Sequence, residues 1–352
     1  MRIGIITHPL GKNYGGILQN FALQQVLIRM GHQPITCDYD GITFPQRIKD
    51  KIKRIVGYNK NAICGNQKYE SIRMFVDRYI KCSKKSHTIS GNFVENYNLD
   101  ALIVGSDQVW RPKYVYNICH MFLSEFTRYK IKRVAYAASF GTSEWEYTKE
   151  QEERCKILAK CFNAISVRED SAVGLCSKYF KMDACKVLDP TLLLEKEVYI
   201  ECLRKEDDAD CDGELFCYIL DSNSFNDSAV NFISRNLNYK VFRIEPRKSE
   251  KCETVTKWLK AFYQAKYVVC DSFHGVVFSI IFQKPFIALA NKSRGLSRFT
   301  SILEMFGLEN RLAFSMDDVK SIMNDRIDWN VVNVIKKNEL EKSLSFIDNA
   351  LK

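Results

Sequence analysis

The chain repeats one pattern, in which a short apolar run suited to a buried strand precedes a segment with helical periodicity. Residues 2–7 form such a run, and Leu23, Leu27 and Met30 then share one helix face, which Gly31 can end. Further strand-like runs occupy residues 34–38, 101–104, 133–138, 164–167 and 186–188. Strands that alternate with helices predict an α/β fold with parallel sheets.

The pattern pauses over residues 195–213, which are charged and contain few strand-forming residues, and then begins again. The second series has strand-like runs at 215–220, 240–244, 267–270 and 285–289, with helical segments between them. We therefore predict an N-terminal domain over residues 1–194, a second domain over 195–326 and a C-terminal helix over 327–352. Two tandem α/β domains usually bind their ligand in a cleft between them, outside the carboxyl ends of the strands, and we expect such a cleft here.

Composition excludes several classes of protein. With 352 residues, of which 46% are hydrophobic and 27% charged, the chain can bury a core without disulfides or a structural metal. No apolar run approaches the roughly 18 residues that a membrane-spanning helix needs. The N-terminus lacks the apolar core of a signal peptide, so we expect a cytoplasmic protein.

The thirteen cysteines contain no C-x-x-C pair, and many fall in apolar segments, which is typical of reduced core thiols. The five histidines are dispersed along the chain. A zinc site needs clustered Cys and His residues. We therefore expect neither a metal nor a resident cofactor.

Positive charge is concentrated in one segment of a chain whose net charge is +10. Apolar residues in that segment recur at helical spacing, which predicts a basic amphipathic helix over residues 46–56. Such a helix can lie on an anionic membrane face or touch an acidic ligand, or it can simply cover its own domain. We find no basic groove interleaved with aromatics, so we expect no nucleic-acid partner.

Four polar clusters follow predicted strands, where open α/β sheets bind ligands. The first is a ligand loop or a tight turn made by Asn13, Tyr14, Gly15, Gly16 and Gln19. Its paired glycines would let a ligand approach the backbone at a helix N-terminus.

The second cluster contains Asp107, Gln108 and Trp110. An acceptor-rich turn beside a large aromatic side chain suits a sugar. The alternative is a turn capped by Asp107, with Trp110 in the hydrophobic core.

The third cluster centres on Arg168, which ends a buried strand and can grip a carboxylate or phosphate, or form a salt bridge to Glu169 or Asp170. In the fourth, Asp271 or Ser272 can cap a helix, with His274 in its first turn. The positive end of the helix macrodipole disfavours the imidazolium there, which would make a protonated His274 a better acid.

Taken in order, these motifs resemble the polysaccharide pyruvyl transferase family. The matching stretches are Asn13-Tyr14-Gly15-Gly16 with Gln19-Asn20, Gly105-Ser106-Asp107-Gln108-Val109-Trp110, Ser166-Val167-Arg168-Glu169, Asp189-Pro190-Thr191, Asp271-Ser272-Phe273-His274-Gly275, and Ser297-Arg298-Phe299 with Gly307-Leu308. The resemblance implies two Rossmann-like domains in the glycosyltransferase B arrangement. It also implies phosphoenolpyruvate as co-substrate and donor, and a saccharide acceptor that becomes a pyruvate ketal, usually in a cell-surface glycan precursor.

The resemblance implies roles for individual residues as well. It puts Arg168 and His274 at the donor. We assign to His274 the acid that the donor needs, and Asp107 is our candidate for orienting or deprotonating the acceptor. We expect the acceptor on the N-terminal domain and the donor on the C-terminal one. Relatives often have Arg where this chain has Ser272, so Arg294 or Arg298 would have to supply that charge, or the donor is held differently.

Two other functions fit the same sequence. One is a glycosyltransferase of the same two-domain form that uses a nucleotide sugar. The other is a glycan-binding relative without activity. A lipid-linked acceptor would give the basic helix a purpose, since the helix would bring the enzyme to the inner membrane face.

Overall fold

Short buried runs in the first half of the chain form one parallel sheet of six strands, in the order β2-β1-β3-β4-β5-β6. The computed structural model describes residues 1–11, 13–41, 68–246, 249–291 and 296–352. The six strands are β1 (Arg2–Ile6), β2 (Gln33–Thr36), β3 (Ala101–Val104), β4 (Lys132–Ala138), β5 (Ala164–Val167) and β6 (Cys185–Lys186). Side chains of β1, β3 and β4 are almost entirely buried, as expected for strands covered on both faces.

Helices connect these strands. They are α1 (Tyr14–Arg29), α2 (Glu70–Tyr79), α3 (Phe93–Tyr97), α4 (Lys149–Ala159) and α5 (Asp170–Leu175). Short 3-10 turns cover Pro112–Tyr114, Ile118–Phe122, Ser124–Phe126 and Pro190–Leu193. The Asn13 side chain caps α1, while Thr148 and Gln151 form a capping box at the start of α4.

The second half builds another parallel sheet of five strands, in the order β11-β10-β9-β7-β8. Its strands are β7 (Leu215–Tyr218), β8 (Val241–Arg243), β9 (Tyr267–Cys270), β10 (Phe286–Leu289) and β11 (Leu312–Ala313). The accompanying helices are α6 (Lys196–Arg204), α7 (Ser224–Leu237), α8 (Val255–Gln264), α9 (Phe273–Ile281), α10 (Leu296–Phe306), α11 (Met316–Met323) and α12 (Trp329–Leu351).

Contacts divide the chain into two compact units. The first comprises Met1–Leu193 with Lys342–Lys352, and the second comprises Leu194–Glu341. The end of α12 is fixed to the first unit, because the Ser343 hydroxyl accepts the Leu188 N–H at 2.9 Å. The α/β fold with two parallel sheets is therefore confirmed.

Each sheet has a point where the strand order reverses. In the first sheet β1 lies between β2 and β3, and in the second β7 lies between β8 and β9. Two neighbouring strands at such a point send their connections in opposite directions, which opens a crevice at their carboxyl ends. The structure thus provides a candidate ligand position in each unit, after β1 and β3 and after β7 and β9.

Two sequence expectations fall outside the described residues, namely the basic helix over residues 46–56 and Arg294. Within the described part of the chain, no helix is both long enough and apolar enough to cross a membrane.

Candidate functional site

In the first unit, side chains from separate elements meet at the carboxyl edge of the sheet. We call Gln19, Asp107, Arg168, Glu169 and Asp189 the sheet-end cluster. All five are at most 5% exposed. They come from α1 and from the segments that follow β3, β5 and β6. The cluster therefore lies at the carboxyl edge of the sheet, on the β3 side of the strand reversal.

Arg168 is the positive centre of this cluster. Its Nη1 lies 2.8 Å from Asp189 Oδ2, its Nη2 lies 3.8 Å from Asp107 Oδ1 and its Nε lies 3.9 Å from Glu169 Oε2. Burial lowers the pKa of Arg168, but the three carboxylates outweigh burial and raise it above its ordinary value. The guanidinium therefore stays charged and ties three strand ends together. Of the two salt-bridge partners that the sequence suggests, Glu169 lies within 3.9 Å of the guanidinium, whereas Asp170 pairs with Lys186.

The carboxylates of the cluster are held from the other side by neutral donors. Asp189 Oδ1 accepts the N–H and the hydroxyl of Thr191 at 3.0 and 2.6 Å. Glu169 Oε1 accepts the hydroxyl of Ser139 at 2.7 Å and two backbone N–H groups of the following residues. Asp189 Oδ2 also accepts the Gln19 amide. Each of these two carboxylates is thus held in place by several donors.

Asp107 connects the cluster to the loop after β1. The Asn13 amide donates to Asp107 Oδ2 at 3.1 Å, while Asn13 Oδ1 accepts the Gly15 N–H at 3.2 Å and so caps α1. A Cβ on Gly16 would lie 3.4 Å from Asp107 Oδ2, so a glycine here keeps the approach to that carboxylate open. Tyr14 begins α1 and is only 1% exposed.

The turn that carries Asp107 depends on Gly105. This glycine has φ +128°, and a Cβ there would lie 2.1 Å from the carbonyl oxygen of Tyr136. Ser106 next to it donates its hydroxyl to the Ala137 carbonyl at 2.9 Å and accepts the Gln19 amide at 3.2 Å. The turn is thus fixed on both sides, which holds Asp107 at a set position.

Trp110 does not contact a ligand, contrary to the prediction that it binds the acceptor. Its ring is fully buried and stacks on Phe122 at 4.7 Å, and its Nε1 donates to the Met121 carbonyl at 3.0 Å. The alternative reading of a core tryptophan is the correct one. The Gln108 side chain contacts Arg111, since its Oε1 accepts Arg111 Nη1 at 3.2 Å.

In the second unit, Asp271 follows β9 and holds the end of β7. Its two oxygens accept the N–H groups of Leu220 and Asp221 at 2.7 and 3.0 Å. The Asn291 amide bridges Asp271 and Asp221. Asp271 is fully buried, and these bonds link the ends of β7 and β9 at the strand reversal.

Ser272 and His274 occupy the N-terminus of α9. The Ser272 hydroxyl accepts the Gly275 N–H at 3.3 Å, so Ser272 is the cap that the sequence predicts. His274 lies in the first turn, edge-on to Phe273 with ring centres 5.3 Å apart, and is 7% exposed. Gly275 lets the helix press against β9, because a Cβ there would lie 2.5 Å from Cys270 Cβ.

Arg298 brings a positively charged side chain close to the N-terminus of α9. Its guanidinium carbon lies 6.0 Å from the centre of the Phe273 ring, and the residue is 7% exposed. The sequence suggests Arg294 or Arg298 as the source of the positive charge that Ser272 lacks. Only Arg298 lies within the described residues. Across the described ranges, no three His, Cys, Asp or Glu side chains converge as metal ligands would.

Three members of the site were not singled out as site residues from the sequence. Asp189 and Glu169 complete the cluster around Arg168, and Ser106 links it to α1. Asp189 carried a signal, because it directly follows a predicted strand and precedes a proline. Its partner Gln19 is 170 positions away in the chain, so only the fold reveals the contact.

Several solved structures share this fold at low sequence identity. UDP-N-acetylglucosamine 2-epimerase from Rickettsia bellii is 12% identical, with 99% of this chain and 97% of that chain covered and a TM-score of 0.52. The UDP-GlcNAc 2-epimerase from Neisseria meningitidis is 10% identical, with 100% and 99% covered and a TM-score of 0.52. A glycosyltransferase from Rickettsia africae is 11% identical, with 100% and 99% covered and a TM-score of 0.50. These similarities establish the glycosyltransferase B-like α/β fold.

Comparison with curated proteins gives no significant match. The family model for polysaccharide pyruvyl transferases, however, matches residues 13–293, which is most of the chain. The matched range includes the sheet-end cluster of the first unit and Asp271, Ser272 and His274 of the second. The match begins at the Asn13 that caps α1 and contacts Asp107, and it extends past the His274 helix. The chain therefore belongs to the polysaccharide pyruvyl transferase family.

Proposed function

We propose that this protein transfers the pyruvyl group of phosphoenolpyruvate to two hydroxyls of a saccharide, forming a ketal in a cell-surface glycan precursor. The observation that carries the proposal is the family match over residues 13–293, within which the buried polar groups gather at both strand reversals. Membership makes the protein a transferase. The donor, the ketal product and the residue roles below are our proposals.

Ketal formation needs an acid. Carbon 2 of phosphoenolpyruvate becomes electrophilic when carbon 3 is protonated, and we assign that proton to His274. The first acceptor hydroxyl then bonds to carbon 2 and loses its proton. Phosphate leaves with the electron pair of its bond to carbon 2, and the second hydroxyl closes the ketal. One of the two hydroxyl protons restores the acid that protonated carbon 3, and the other protonates phosphate. The protons of the reaction therefore balance.

We place the acceptor at Asp107. Its turn is fixed by Gly105 and Ser106, and Asn13 holds one of its oxygens at 3.1 Å. Carboxylates outnumber the guanidinium in the sheet-end cluster, and carboxylate oxygens accept hydrogen bonds from sugar hydroxyls. Asp107 would orient the attacking hydroxyl and take up its proton.

We place the anionic donor in the second unit. The N-terminus of α9 offers backbone N–H groups and the positive end of a helix dipole, and Arg298 contributes a charge beside Phe273. Arg298 would thus supply the cation that Ser272 lacks.

For Arg168, the geometry favours positioning of Asp107 and Asp189 over the direct donor contact that the family resemblance implies. Its side chain is 2% exposed and has three carboxylate neighbours.

A nucleotide-sugar glycosyltransferase is the second candidate, and the fold shared with a glycosyltransferase favours it. Thermal-shift titration separates the two functions, because a ligand that binds only the folded state raises its melting temperature. We expect stabilisation by phosphoenolpyruvate and none by UDP-GlcNAc or UDP-glucose. Stabilisation by a nucleotide sugar alone would favour the glycosyltransferase. Stabilisation by neither would favour a glycan-binding relative.

We also propose that the acceptor is lipid-linked and that residues 46–56 bring the enzyme to an anionic membrane face. The test is sedimentation with phosphatidylglycerol vesicles. Replacing Lys49, Lys51, Lys53 and Arg54 by Gln should abolish co-sedimentation, and unchanged binding would remove this part of the proposal.

A further inference from the structure

The segment after the Asp107 turn exposes two tyrosines. Tyr114 is 47% exposed and Tyr116 is 84% exposed, in a unit whose other large aromatic side chains are mostly packed in the core. Val115 between them packs against that core. The backbone is therefore anchored at Val115 while both flanking rings reach solvent.

Tyr114 is held by a fixed cation. The Arg111 guanidinium carbon lies 5.1 Å from the centre of the Tyr114 ring. Arg111 is itself clamped, because Nε and Nη2 donate to the two Glu146 oxygens at 2.9 and 2.8 Å. The 3-10 turn Pro112–Tyr114 adds a backbone bond from the Tyr114 N–H to the Arg111 carbonyl at 3.0 Å. An exposed ring with this much support is preorganised for binding.

The clamp also connects this ring to the proposed acceptor position. Arg111 Nη1 donates to Gln108 Oε1 at 3.2 Å, and the Gln108 N–H donates to Asp107 Oδ1 at 2.9 Å. One chain of contacts thus runs from the Asp107 carboxylate to the exposed Tyr114 ring. Tyr114 also follows Asp107 by only seven positions in the chain.

We infer that Tyr114, with Tyr116 beside it in the chain, forms a stacking platform for a pyranose ring of the saccharide acceptor. This inference rests on the proposed function, because it extends the acceptor site around Asp107. The apolar C–H face of a pyranose packs on an aromatic ring, while the sugar hydroxyls stay in water or reach polar groups. A rigid tyrosine gives such contact area at little cost in conformational entropy. In this inference Tyr114 has the sugar-stacking role that the sequence analysis predicted for Trp110.

The test is saturation-transfer difference NMR on the full chain with methyl β-D-galactopyranoside, methyl β-D-glucopyranoside and methyl α-D-mannopyranoside as probes. The wild-type protein should transfer saturation to ring protons of at least one pyranoside. Tyr114→Ala should weaken that binding about tenfold, and Tyr114→Phe should retain it, because the ring face makes the contact. Tyr263→Ala is the matched control, since Tyr263 in α8 is also 47% exposed.

Equal transfer in wild type and Tyr114→Ala would overturn the inference, as would no transfer from the wild type to any of the three probes. The same variants keep the two proposals separate. If Tyr114→Ala loses pyranoside binding but the wild type fails to release phosphate from phosphoenolpyruvate, the platform stands and the proposed reaction falls. If phosphate release proceeds with an acceptor saccharide at unaltered acceptor KM in Tyr114→Ala, the reaction stands and the platform falls.

Discussion

Arg168 Nη1 lies 2.8 Å from Asp189 Oδ2, and the same oxygen accepts the amide of Gln19. This contact joins the end of β5, the segment after β6 and helix α1 at one edge of the first sheet. It is buried on every side, since the Arg168 side chain is 2% exposed and that of Asp189 is 0% exposed. The pair therefore helps to fix the geometry around Asp107, whose Oδ1 lies 3.8 Å from Nη2 of the same guanidinium.

Removing only the cation of this pair should destabilise the fold strongly. Arg168→Gln leaves buried carboxylates without their counter-charge, which typically costs about 3 to 5 kcal/mol. The double variant Arg168→Gln with Asp189→Asn removes both charges and should recover part of that loss. Urea denaturation of the wild type, Arg168→Gln, Asp189→Asn and the double variant gives the four free energies of unfolding that the comparison needs. A double variant as unstable as the sum of the two single variants would show that the pair is not coupled.

Arg168→Lys separates a positioning role from a donor contact. Lysine keeps the charge but lacks the planar fork that reaches several carboxylates, so we expect lower turnover with an unchanged thermal shift on adding phosphoenolpyruvate. If Arg168→Lys instead abolishes the shift by phosphoenolpyruvate, Arg168 contacts the donor directly, as the family resemblance implies.

Gly275→Ala should disturb the proposed donor half. The new Cβ would lie 2.5 Å from Cys270 Cβ, so α9 must move away from β9. Overpacking of this kind typically costs about 1 to 3 kcal/mol. Gly174→Ala in α5 is the matched control, because nothing lies within 4 Å of its new Cβ, and it should stabilise by up to about 1 kcal/mol. Equal stability of the two variants would show that close packing at Gly275 is unimportant.

The stabilisation that the Arg111–Glu146 ion pair gives to the fold should depend on pH. The hydrogen bond from Arg111 lowers the pKa of Glu146 below its ordinary value of 4.5, although burial opposes this. A carboxylate whose pKa is lower in the folded state stabilises the fold above its unfolded pKa, and this stabilisation is lost as the pH falls through the folded pKa. The wild type should therefore be more stable than Glu146→Gln at neutral pH, and the difference should shrink below pH 4.5. Urea denaturation across that range measures it, and a difference that does not change with pH would contradict the clamp.

His274→Asn should reduce turnover by about 100- to 10,000-fold, the usual contribution of a general acid. Its melting temperature should stay close to that of the wild type, because asparagine can occupy the first turn of α9 without a new charge. His87→Asn is the control, since His87 is exposed and pairs with Asp40. Activity of His274→Asn at the level of the control would discard the assignment of the acid.

Local patterns were sufficient to predict most of the fold. The run over residues 2–7 became β1 and the periodic segment after it became α1, because buried strands and amphipathic helices leave strong local signals. The predicted strand over residues 267–270 has the bounds that the structure gives to β9.

Local sequence patterns predicted the residues of the site less well than they predicted the fold. Trp110 and Tyr114 are both aromatic residues in the same segment, yet the first is buried and the second exposed. Their difference depends on Phe122 and Arg111, whose positions a linear pattern does not reveal. Arg168 likewise forms its shortest ion pair with Asp189, which is 21 positions away, whereas the nearby Asp170 pairs with Lys186.

Pyruvyl transfer itself can be measured by incubating the protein with phosphoenolpyruvate and a panel of saccharide acceptors and following phosphate release and the mass of the sugar product. We expect phosphate release that depends on the saccharide, a product heavier by one pyruvate ketal, and loss of both in His274→Asn. Sugar transfer from a nucleotide sugar under the same conditions, with no ketal formed from phosphoenolpyruvate, would contradict this expectation.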